Sequence, residues 1–212
     1  ALTLVFFCTY TYSQNSCSDY YPFTQGAITE LTGYDKKGKK TSVTEYTIQE
    51  ASSNQVTIAS KISDKDDAVI AESDFEMSCS GNGISIDIKS MYSPQLAMQY
   101  ENMETTVTGK YIALPNGLDV GDKLDDAEMF VSINMSGINI NVDVMMLDRR
   151  VVAEESVSTP AGDFDCIVRE YTSKIKMGRE RSSTAKQWLA KGVGLVKQEE
   201  YNKRGKLTGS TV

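Results

Sequence analysis

The sequence predicts an all-β fold: a single antiparallel, strongly curved sheet of about a dozen strands, rolled up as a β-roll or incomplete barrel. Three observations carry this. Apolar and polar residues alternate with a period of two, as at Val56, Ile58 and Ile62 or at Ile84, Ile86 and Ile88. Turn clusters such as Asp35-Lys36-Lys37-Gly38, Ser80-Gly81-Asn82-Gly83 and Thr159-Pro160-Ala161-Gly162 recur at the spacing of short strands. Almost every link is short enough for a hairpin, which makes sequence neighbours antiparallel sheet neighbours.

The opening ALTLVFFCTYTYS is an apolar run followed by small residues. It reads as the end of a secretory signal peptide, with cleavage between Ser13 and Gln14. Residues 1–13 are then a signal remnant and 14–212 a single β-roll domain. A first buried strand is one alternative. Lipid attachment at Cys8 or Cys17 is another, although neither site has the Leu and small residues of a lipobox.

The aromatic SDYYPF (18–23) is a lead-in packed on the body. Strands are predicted over 24–34, 41–50, 55–62, 69–79 and 84–90. Ile84, Ile86 and Ile88 point inward and Asp87 and Lys89 outward, as in an antiparallel sheet wet on one side. Residues 91–126 read as irregular, with a short helical turn after Pro94 and a Gly-, Asn- and Asp-rich loop that acts as lid or edge cover. Strands resume over 128–135, 138–144, 149–158, 164–177, 184–189 and 193–201. Pro160 presets φ for its turn and Gly162 permits positive φ. Gly192 and Gly194 mark a kink where backbone passes closely. The turn Tyr201-Asn202-Lys203-Arg204-Gly205-Lys206 repeats the design of Tyr34-Asp35-Lys36-Lys37-Gly38-Lys39.

A chain of 212 residues with 40% hydrophobic and 24% charged residues buries a core without staples. A net charge of -7 argues against a nucleic-acid partner. After the opening run, nothing approaches the ~20 apolar residues of a membrane-spanning helix. Histidine is absent. That removes Ser-His and Cys-His nucleophile activation and all His-containing metal sites. Of the cysteines, Cys17, Cys79 and Cys166 follow the cleavage point. Export permits disulfides, and an odd count leaves one over. A pair that includes Cys79 is one reading, its partner unassigned, and small buried hydrophobes the other.

TPAGDFDC (159–166), WLAKGVGLVKQEEY (188–201), CSDYYPF (17–23) and YDKKGK (34–39) together resemble a domain-of-unknown-function family of exported bacterial proteins, TapB-like, with a YmcC-like β-roll. VGDKLDDAE (120–128) and DRRVVAEESVSTPAG (148–162) fit the same pattern. The resemblance implies a β-roll in the periplasm or at the cell surface. It implies no catalytic residues.

Chemical motifs are weak. Ser183-Thr184-Ala185-Lys186 has Ser-x-x-Lys spacing but enters a strand and lacks its companion motifs. Asp119, Asp122, Asp125 and Asp126 lack EF-hand spacing and read as solvated loop acids. No catalytic residue, cofactor site or metal site is assigned. Flexible methionines suit adaptable apolar surfaces. The candidate ligand face is therefore Trp188, Met135, Met145 and Phe164, with Trp188 alternatively a plain core anchor. The expectation is a non-enzymatic exported module that binds a lipid, glycan or protein of the envelope through an apolar concave face. The alternative is an assembly module that takes a partner strand at its edges, and a hydrolase is the least favoured third reading.

Overall fold

The structure is a computed structural model that describes residues 17–91, 103–135 and 138–212. The expected signal segment with Cys8 and its expected cleavage point, the expected helical turn after Pro94, the Ser136-Gly137 link and the side chain of Met135 lie outside the described residues.

Thirteen strands form one antiparallel sheet. In chain order they are β1 (Ile28–Asp35), β2 (Lys40–Ala51), β3 (Gln55–Asp64), β4 (Val69–Cys79), β5 (Gly83–Ile86), β6 (Glu104–Gly109), β7 (Ile112–Pro115), β8 (Ala127–Met135), β9 (Ile138–Thr159), β10 (Gly162–Met177), β11 (Arg179–Ala190), β12 (Gly194–Asn202) and β13 (Leu207–Thr211). Their order in the sheet is β6-β8-β9-β10-β11-β12-β13-β1-β2-β3-β4-β5-β7. The sheet is thus two meanders joined where β1 pairs with β13.

The sheet curls without closing. Only Lys110 and Tyr111 separate β6, one edge, from β7, the other. Successive Cα atoms are ~3.8 Å apart, so the two edges there lie within about 11 Å. The 3-10 turn Ile88–Met91 touches β4 on one side and β6 and β8 on the other. Arg149 of β9 closes the gap further: Nη1 donates to the Asp125 carbonyl at 2.5 Å and Nη2 to the Ala113 carbonyl of β7 at 3.3 Å.

The expected irregular stretch 91–126 thus contains both edge strands. Each is short, six and four residues, so it offers only two or three alternations to read. The predicted strand over 84–90 stops at Ile86, although Ile88 still points inward from the 3-10 turn. The two strands expected over 138–144 and 149–158 are one 22-residue strand, β9. Bulges opposite Val168/Arg169 and Glu170/Thr172 absorb the change of register. Asp148 takes a φ of +54° at the second bulge, and its N–H donates to Asp126 Oδ1 at 2.9 Å.

Local chemistry explains the hairpins. Asp35 Oδ1 accepts from the N–H groups of Lys37 and Lys39, and Asn202 Oδ1 accepts from Arg204 and Lys206. Asp64 does the same for Asp66 and Ala68. Each is a side-chain mimic of a backbone turn, followed by a residue of positive φ: Gly38, Gly205 or Asp67.

The main core fills the inside of the roll. Val56, Ile84, Leu114, Met129, Ile133 and Leu189 are among its fully enclosed members. A smaller cluster of Cys166, Val168, Trp188, Ala190 and Val196 forms separately around the β10–β11–β12 ribbon, with Phe164, Val157 and Val193 packed against it. Cys17 and Cys79 form a disulfide that ties the aromatic lead-in to the end of β4; Cys166 is a buried free thiol.

The Gly-Val-Gly kink lies under that lead-in. Gly194 has a φ of +95°, and a Cβ there would fall 2.4 Å from Cε1 of the Tyr21 ring. Gly194→Ala is expected to destabilise the protein by about 2 kcal/mol or more, through strain and displacement of the ring. Chemical denaturation would read this directly. An unchanged midpoint would mean that the lead-in does not pack there in solution.

Candidate functional site

The inside of the roll holds a cavity of about 370 Å³, partly open to solvent. It arises because the inward side chains change character along the strands. On β2 the inward positions run Ser42, Thr44, Tyr46, Ile48, from polar to apolar. Ile58, Met77, Ile86, Ile112 and Met146 continue the apolar wall from β3, β4, β5, β7 and β9.

The polar wall is a single row across the centre of the sheet. The pairing registers align Arg169 of β10 with Gln187 of β11, Gln187 with Gln198 of β12, Gln198 with Thr211 of β13, Thr211 with Gly33 of β1, and Gly33 with Ser42 of β2. All six line the cavity. Gly33 leaves room for this row, since a Cβ there would sit 2.6 Å from Ser42 Oγ.

Two hydrogen bonds run along the row in one direction, and a third leaves it along β12. Arg169 Nη2 donates to Gln187 Oε1 at 2.8 Å, and Gln187 Nε2 donates to Gln198 Oε1 at 2.7 Å. Gln198 Nε2 then donates to Glu200 Oε1 at 3.4 Å. A guanidinium has no acceptor, so it fixes Gln187 with its carbonyl toward Arg169 and its amide toward Gln198. Arg169 is 6% exposed, and its Nε and Nη1 have no hydrogen-bond partner. Burial pushes its guanidinium below the ordinary range, partly countered by Tyr21, Tyr171 and Tyr20 around it. Arg149 is pushed down to about 10 by burial and by the Arg169 charge, and it stays protonated at neutral pH. Burial also raises the Glu200 carboxyl.

The tyrosines give the site a pH signature. Burial pushes the Tyr46 phenol up to about 12, and Tyr171 is raised by burial and then by the Glu200 carboxylate. An unfolded tyrosine ionises near pH ~10. Above that pH the unfolded chain loses protons that the folded chain keeps, so stability falls as pH rises toward 12. The fall is about 1.4 kcal/mol per pH unit for each such tyrosine. Urea midpoints are expected to drop steeply above pH ~10 in the wild type and less so in Tyr46→Phe. Identical alkaline profiles would show that Tyr46 is solvated.

The sequence-derived ligand face is placed elsewhere. Trp188 and Phe164 belong to the smaller cluster, away from the cavity. The Trp188 ring is occupied: Nε1 donates to Glu155 Oε2 at 2.8 Å, and the Lys197 ammonium sits 4.6 Å from the ring centroid. Met145 lies between Val144 and Met146, both of which line the cavity, and so faces the other way. Met135 has only its backbone described, paired with Ile138. The residues that do meet, Arg169, Gln187 and Gln198, were not singled out from sequence. The available signal was a cation at the same strand parity as Ile167 and Tyr171, both buried.

Among the described residues no cluster of acidic or sulfur side chains is arranged to hold a metal. Asp122 Oδ2 accepts from the Asp119 N–H, and Asp126 holds the β9 bulge, so two of the loop acids organise backbone. No described helix is long and apolar enough to cross a membrane.

Two solved structures share the fold. One is described as an exported protein with a YmcC-like fold, from Bacteroides fragilis NCTC 9343. It has 22% identity and a TM-score of 0.82, over 92% of this chain and 97% of that one. The other is described as a lipoprotein from Parabacteroides distasonis ATCC 8503. It has 26% identity and a TM-score of 0.79, over 93% of this chain and 98% of that one. No curated protein matches the sequence. The model of the DUF3108-like family matches residues 24–212, from just ahead of β1 through β13, and the chain belongs to that family.

Proposed function

We propose that this protein is a non-enzymatic binding module of the bacterial envelope, periplasmic or surface-exposed, that holds a small amphipathic molecule inside its roll. One observation carries the reading: a cavity of about 370 Å³ with one apolar and one polar wall, inside a sheet that curls but does not close. Small-molecule sites typically occupy ~300–1,000 Å³ and combine an apolar lining with a few placed polar groups. The exported and lipoprotein descriptions of the two fold relatives support the location. A chain without histidine, whose cavity lining includes no cysteine, supports binding over catalysis. Strand addition is less favoured, because the edges are short and the β7 carbonyl of Ala113 is already bonded by Arg149.

Native mass spectrometry of protein purified unreduced from its own host tests this. A co-purifying mass of a few hundred daltons, absent from a Thr44→Phe variant that fills the cavity, is the expected result. A bare mass in the wild type, together with no uptake of an added hydrophobic fluorophore, would sink the reading.

A further inference from the structure

We propose that the occupant is a single-chain amphiphile with an anionic head, its oxygens accepting hydrogen bonds from Arg169 and its tail lying against Ile48, Ile58, Met77 and Ile86. This rests on the binding reading above and names the ligand class for that site.

The two inward arginines make the contrast. Arg149 directs its guanidinium to the backbone carbonyls of Asp125 and Ala113, which is a structural use. Arg169 makes one bond, to Gln187, and leaves Nε and Nη1 unpaired in the cavity wall. Buried donors are rarely left without an acceptor, and a buried cation without one is rarer still. No carboxylate of the described residues forms a salt bridge with Arg169. This is so although acids outnumber bases by 29 to 22 in the chain. Glu200 lies at the far end of the relay, two glutamines away. It makes no direct contact with the guanidinium, whose Nε and Nη1 stay buried and unpaired. Guanidinium donors suit carboxylate or phosphate oxygens. Tyr21 and Tyr171 flank the guanidinium and add no negative charge at neutral pH.

Size limits the tail. A volume of about 370 Å³ is near the lower end for ligand sites and suits one alkyl chain rather than a two-chain phospholipid.

Displacement of a hydrophobic fluorophore from the full chain by decanoate, decyl phosphate, decanol and decylamine tests this. The anions are expected to bind roughly 10- to 100-fold tighter than decanol, with decylamine weakest. Arg169→Met is expected to lower both anions roughly 10- to 100-fold, while Arg169→Lys, which keeps the positive charge, retains part of the preference for the anions over decanol. The tighter of the two anions identifies the source, a fatty-acid carboxylate or a lipid phosphate. Equal wild-type affinities for decanoate, decyl phosphate and decanol would overturn the anionic head and leave the binding module standing. Failure of all four to displace the probe would overturn both.

Discussion

Replacing Cys17 and Cys79 together with alanine is expected to cost about 4 kcal/mol of stability. The bond closes a loop with a sequence separation of 62 residues, and it acts mainly by restricting the unfolded chain. Loop-closure entropy for that length gives the figure. For a domain of this size each kcal/mol moves the melting temperature by about 2–4 °C, so the double variant should melt roughly 8–16 °C lower. Calorimetry with and without reductant checks it. The disulfide anchors the lead-in that carries Tyr20 and Tyr21, one fully buried and the other lining the cavity. A reduced protein that keeps its melting temperature would show that the lead-in is held by packing alone.

Arg169→Met should move stability the other way. The guanidinium is a buried cation with one hydrogen bond and two unpaired nitrogens. Methionine has a similar reach, no charge and no donor to satisfy. Replacing a buried ion pair by apolar side chains of similar volume is often neutral or stabilising by about 1–4 kcal/mol, and Arg169 lacks even the compensating ion among the described residues. The lost bond to Gln187 offsets part of that, at about 1–3 kcal/mol for a charged donor. A net gain is expected in ligand-free protein, seen as a higher denaturant midpoint with unchanged slope. It should vanish when an anionic amphiphile saturates the wild type, because ligand binding stabilises only the protein that holds it. A lower midpoint in ligand-free Arg169→Met would show that Arg169 serves the fold.

The longer strands with one wetter face were the most legible in sequence. β2, β3 and β4 alternate cleanly because each is ten residues or more and its two faces differ in burial. The shared design of the first and last hairpins was legible too, since Asp35 and Asn202 carry out the same turn chemistry. β6 and β7 were not, because a strand of four to six residues at an edge has too few alternations to stand out. The continuity of β9 was hidden by its bulges, which reverse side-chain parity so that inward residues run Val142, Val144, Met146 and then Arg149, Val151. The site was hidden for a related reason. Cys166, Ile167, Val168 and Arg169 are all buried, so both faces of β10 are covered there. Apolar pattern alone singled out the Phe164–Trp188 side. The polar row needs the registers of five pairings at once, and no single stretch of sequence encodes them.

The joint between β1 and β13 sets how this protein acquires its shape. Gly33 meets Thr211 there, close to the two ends of the matched chain, while nine of the other eleven pairings link consecutive strands. Local hairpins form in about 1–10 μs, but sheets that depend on distant pairings mature over milliseconds to seconds. Each meander should therefore assemble early and wait with one open flank until the other arrives. The polar row crosses that joint, so the cavity should be completed only when the two meanders dock. Slowing this final docking lengthens the time in which two bare strand edges face other molecules, and aggregation during refolding should increase with it.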